Sequence, residues 1–158
     1  MIRWIRRQRE QLVARSIWRP GAVGPQDARL ASMLQGYLPR FYVACALFGL
    51  LGAYGGIPAL RDTFGEDSAL ALGLLLAVAA ICAGAGEAFP DRLWRLEFFA
   101  VATLSWLILL YAAAVVIAGL LAGDAGRAAV GAAIYAMRIL PQWRVRDVRA
   151  DREVNGWR

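Results

Sequence analysis

Residues 98–123 read FFAVATLSWLILLYAAAVVIAGLLAG, without one charged side chain. An α-helix rises about 1.5 Å per residue and the hydrocarbon core of a bilayer is about 30 Å thick, so about 20 apolar residues cross it. This stretch exceeds that length and crosses with tilt to spare. A soluble domain of this size cannot bury such a run. The rest of the chain agrees: 59% of its 158 residues are hydrophobic and the mean hydropathy is +0.48.

Three further segments fit the same description. Residues 41–60 are uncharged, with Pro58 placed to close the helix at its far end. Residues 69–86 form an alanine and leucine run after a cap expected at Asp67 or Ser68, and the helix of 98–123 is expected to begin at Asp91 as N-cap, just after Pro90. The fourth span, 125–140, is the shortest, because Arg127 and Arg138 bracket only ten uncharged residues. Both arginines snorkel to opposite interfaces if it crosses. The sequence is thus read as all-α, a four-helix transmembrane bundle with a basic segment 1–40, a membrane domain 41–140 and a charged tail 141–158.

Charge sets the orientation. All 18 basic residues are arginine, the net charge is +6 and the pI is about 10.1. With four spans, sixteen arginines fall on one side and only Arg61 and Arg127 on the other. Short loops rich in arginine stay in the cytoplasm, so both ends are expected inside a bacterial inner membrane. Three spans would put the arginine-rich tail outside. Because the charge is confined to loops and ends, no nucleic-acid partner is inferred. Tyr37, Phe41, Tyr42, Trp94 and Trp143 mark the same inner boundary as an interfacial belt.

The N-terminal segment has no apolar run of signal-peptide length, and the first span is expected to remain as an anchor. Within residues 1–19, Ile2, Ile5, Leu12, Val13 and Ile17 share one side of a helical projection, with Arg3, Arg6, Arg7, Arg9 and Arg15 as candidates for contact with anionic lipid headgroups. A solvated topology signal is the alternative. Leu30, Met33, Leu34, Tyr37 and Leu38 then predict a second short helix up to Pro39.

Reactive groups are scarce. There is no histidine, and Cys45 and Cys82 lie in apolar spans as small fillers at matching depth. Thr103 and Ser105 are the only span hydroxyls besides tyrosine, and no carboxylate falls near mid-membrane, which argues against ion-coupled transport. No nucleophile–base set, metal-ligand set or phosphate loop is present, so neither enzyme chemistry nor a cofactor is expected. Small residues recur at four-residue spacing: Gly52 with Gly56, Ala80 with Gly84, Gly119 with Gly123, and Ala128, Ala132 and Ala136. Such stripes serve packing within the chain or self-assembly. At the inner ends of the last three spans, Glu87, Glu97 and Arg138 form a candidate interfacial ion-pair cluster, independent snorkelling being the alternative.

A short chain of small-residue spans with a charged tail and no catalytic set resembles the small holins of bacteriophages infecting high-GC hosts. The resemblance lies in topology and tail charge and implies a homo-oligomer that permeabilises the inner membrane. Two other classes stay open. One is an accessory or anchor subunit docking a cytoplasmic or membrane-protein partner; the other is a small transporter or channel with Tyr54 and Tyr111 along its path.

Overall fold

The computed structural model describes residues 32–55 and 58–155, together with Ser16. The expectations for the basic N-terminal segment, with Arg3, Arg6, Arg7, Arg9 and Arg15, and for Gly56 lie outside these residues. Among the described residues there are helices and short turns and no β-strand. A π-helical turn, Met33–Tyr37, runs into α1 (Leu38–Gly55). Then follow α2 (Pro58–Phe64), α3 (Glu66–Ala88), α4 (Pro90–Leu121), α5 (Ala125–Met137) and α6 (Ile139–Asn155). Three stretches, Met33–Gly55, Glu66–Ala88 and Arg92–Leu121, are long and apolar enough to cross a membrane.

Local chemistry explains the boundaries, and several differ from the sequence reading. The short helix expected to stop at Pro39 continues into the first span. The π turn lies immediately before, where a proline ring would otherwise press on the carbonyl one turn back. Pro58 opens α2, since proline suits the first position of a helix. Neither Asp67 nor Ser68 caps α3: Gly65 holds that place with φ of 88°, leaving Glu66 and Asp67 in the first turn beside the positive end of the helix dipole. Likewise Phe89, not Asp91, is the N-cap of α4, because Pro90 takes the first helical position.

The turn between α4 and α5 is built from two linked motifs. Gly123, with φ of 68°, donates to the Leu120 carbonyl at 3.2 Å and Asp124 N–H donates to that of Gly119 at 2.8 Å, the double bond of a Schellman end. Asp124 then accepts from the Arg127 N–H at 3.0 Å and so starts α5. The expected span 125–140 is not one helix. Pro141 lacks the N–H that would bond the Met137 carbonyl, and α5 ends at Met137.

Neighbouring helices pack in chain order, α1 on α3, α3 on α4 and α4 on α5, without a substantial interface between α1 and α5. Close approach depends on missing side chains. A Cβ on Gly49 of α1 would lie 2.6 Å from the Gly73 carbonyl oxygen of α3, and one on Gly119 of α4 would lie 2.6 Å from the Ala128 nitrogen of α5. The core between α1, α3 and α4 holds Leu38, Leu76, Ala80, Ala83, Val101 and Leu104. Outward, Val43, Leu47, Leu51, Ile81, Ile117 and Leu120 are exposed. Such a surface fits hydrocarbon and would be an aggregation hazard in water.

The last two helices retrace α4. Gly119 meets Ala128, Val116 meets Gly131, Ser105 meets Arg138 and Glu97 meets Arg144. Each step forward along α5 and α6 is a step back along α4. From Gly119 to Glu97 the path covers about 33 Å at helical rise.

Candidate functional site: a buried charge cluster where three helices end

Three close contacts bring chemistry-bearing residues to one level. Gly84 of α3 presents no side chain to α1, and a Cβ there would touch the Tyr42 ring at 3.7 Å. Gly86 does the same toward α4, where a Cβ would come within 2.5 Å of the Glu97 Cβ. α6 then lays Arg144 on Glu97. Tyr42, Glu87, Glu97 and Arg144 therefore come from four different helices, and all three charged groups lie within electrostatic reach of the Tyr42 hydroxyl.

The Arg144–Glu97 contact is a buried ion pair. Arg144 Nε donates to Glu97 Oε1 at 2.6 Å, with side-chain exposures of 4% and 1%. Its Nη1 donates to Asp147 one turn on. Charge-assisted bonds of this kind are roughly twice as strong as neutral ones. Burial disfavours the Arg144 charge; the attraction and hydrogen bond of Glu97, with Asp147, outweigh it and hold the guanidinium above its ordinary basicity.

Glu87 is fully buried and neither of its carboxyl oxygens has a hydrogen-bond partner among the described residues; the same holds for the Tyr42 hydroxyl. A carboxylate so placed is costly, and ionisable groups are retained inside membrane domains chiefly where they are used. Chemically the cluster can hold α6 by charge and keep a polar spot in an apolar core.

Of the sequence-derived candidates, Glu87 and Glu97 share this neighbourhood and Arg138 does not. Arg138 sits one to two turns along, where its Nε donates to Ser105 Oγ at 3.0 Å and its guanidinium lies 5.3 Å from the Trp106 ring centre. Arg144, which the sequence reading left in a solvated tail, takes the ion-pair position. Its signal was present: Pro141, Arg144 and Val148 recur at helical spacing and form the buried face of α6. Mixed charges around them masked that face.

The remaining candidates are distributed as follows. Gly52, Ala80 and Gly119 are buried, Gly84 and Ala128 half-buried, and Gly123, Ala132 and Ala136 exposed. Cys45 and Cys82 are free thiols against the same core. Tyr54 is 95% exposed, whereas Tyr111 packs on Phe48 with ring centres 5.3 Å apart. A cavity bounded by Phe48, Leu60, Leu76 and Tyr111 has about 20 Å³, space for one water at most.

At the opposite end, Asp62 of α2 and Arg127 of α5 approach to 3.6 Å in a solvent-exposed pair. Comparison with known proteins finds no matching family model, no matching curated protein and no matching solved structure.

Proposed function

We propose that this chain is a non-catalytic accessory or anchor subunit of the cytoplasmic membrane, crossing four times with both ends inside and holding α6 at the inner surface for a partner. The observation that carries this reading is the buried Arg144–Glu97 pair, which joins a polar helix to apolar membrane helices. A topology signal alone has no use for such a bond. The fourth crossing is supported by the antiparallel register, since α5 by itself covers about 20 Å but α5 with the start of α6 follows α4 for about 33 Å. The arginine-rich side contains both the cluster and α6, in keeping with an inner location.

A second reading is self-assembly into a membrane-permeabilising oligomer, as in holins. One observation favours it: Ala132 and Ala136 stay exposed on α5, the outer helix of the row. Induced expression in a bacterium, with membrane potential and release of a co-expressed endolysin followed together, separates the two. Continued growth with the protein inserted supports the anchor. Abrupt depolarisation with lysis overturns it in favour of the oligomer.

A further inference from the structure

Beside the charge cluster, the first turns of α4 and the middle of α6 enclose an open groove of about 790 Å³. Trp94, Phe98, Phe99 and Val148 make its apolar lining. Its polar rim carries two exposed arginines, each stacked on a ring: Arg95 lies 5.3 Å from the Trp94 ring centre and Arg149 lies 5.2 Å from that of Phe98. Stacking restricts the guanidiniums before any ligand arrives, which lowers the ordering cost of binding. Among the described residues of the lining, two arginines face one acid, Glu153, and Arg92 and Arg146 are exposed on the same turns.

We propose that this groove binds the phosphodiester headgroup of an anionic phospholipid, gripped between Arg95 and Arg149, with its acyl chains leaving past Phe99. Guanidinium forks match phosphate oxygens in geometry as well as charge. Phe98 and Phe99 begin the apolar run of 98–123, and Phe99 is 67% exposed, so the groove opens onto the lipid-facing side of α4. The volume is that of an ordinary small-molecule site, adequate for a headgroup and glycerol. The arginines that the sequence reading offers for lipid contact all lie in residues 1–15; this groove is built from other residues, on α4 and α6. It rests on the reading that the arginine-rich end lies at the membrane interface.

The test uses the full chain, purified in a neutral detergent and titrated with phosphatidylglycerol or phosphatidylcholine, with bound lipid read by native mass spectrometry. Phosphatidylglycerol should be preferred, and Arg95→Gln with Arg149→Gln together should weaken its binding roughly thirtyfold while leaving phosphatidylcholine unchanged. Arg61→Gln, at the other end, should change neither. Should the double variant fail to fold, each single variant should lose about fivefold. Equal retention of the two lipids, an unaltered affinity in the variants, or displacement of the lipid by an acidic peptide at equal concentration overturns the proposal. Alkaline carbonate extraction of the wild-type chain reports separately on the membrane reading: a protein that resists extraction yet shows no lipid preference refutes the groove alone.

Discussion

Replacing Arg144 by methionine removes the guanidinium bonded to the Glu97 carboxylate, which is buried at 1% exposure. With charge centres about 4 Å apart, the attraction at an effective dielectric constant of 20 is about 4 kcal/mol. Breaking a buried pair from one side costs about 3–5 kcal/mol. Total stabilities are about 5–15 kcal/mol, so the loss is a large share. For a chain of this size it lowers the midpoint of thermal unfolding by about 6–20 °C.

The chain carries its own reporter, because Cys45 and Cys82 are free thiols packed against the core and become reactive to a maleimide fluorophore as it opens. The comparison variant is Arg146→Met, an exposed position expected to stay within about 0.5 kcal/mol of wild type. Removing both charges with Glu97→Leu and Arg144→Met should recover most of the loss, since a buried pair replaced by apolar groups is often neutral. If Arg144→Met behaves like Arg146→Met, the bond does not hold α6 and the anchor reading loses its support.

Three further outcomes follow from the same geometry. Gly86→Ala forces a Cβ to 2.5 Å from the Glu97 side chain and 2.8 Å from its backbone nitrogen, and should cost about 1–3 kcal/mol or prevent accumulation; Gly84→Ala, in ordinary contact with Tyr42, should be tolerated. Both are read by thiol-monitored melting of purified protein. Glu87→Gln replaces a buried carboxyl whose oxygens have no partner among the described residues by a neutral amide of the same shape, so stability should hold or rise; a fall above about 2 kcal/mol would mean that Glu87 helps retain Arg144. Arg138→Leu loses the hydrogen bond to Ser105 and the contact with the Trp106 ring and should cost about 1–2 kcal/mol, Ser105→Ala only about 0.6 kcal/mol, with little added by combining them.

The membrane helices were legible because their signal is one-dimensional: length without charge decides, and 98–123 needed no knowledge of its neighbours. Helix ends were less so. Asp67, Ser68 and Asp91 are good caps by type, yet Gly65 and Pro90 impose backbone angles that settle the matter first. At the charge cluster, proximity to the inner boundary identified Glu87 and Glu97, since both lie close to the loop that joins α3 to α4. The choice of arginine required the register of α6 against α4. That register depends on the break before Pro141, which is local, and on how far α5 and α6 retrace α4, which is not. Arg138, nearest in sequence to the expected span, was therefore chosen over Arg144.

The same register bears on how copies of this chain meet. Of the small residues offered for self-assembly, Gly52, Ala80 and Gly119 are buried within the molecule, Gly119 against Ala128, and further glycines close the same interfaces, Gly49 against Gly73 and Gly86 against Glu97. Backbones already in contact cannot offer that face to another copy without separating, and separation exposes Glu87 and Glu97. Ala132 and Ala136 differ, because α5 is the last helix of the row and only Gly131 on it is buried. Association through α5 would leave the charge cluster closed and α6 in place, so oligomerisation and anchoring are compatible on this fold. An oligomer built through the buried glycine faces of α1 or α3 would have to open the core first, and its formation would track loss of the Arg144–Glu97 bond.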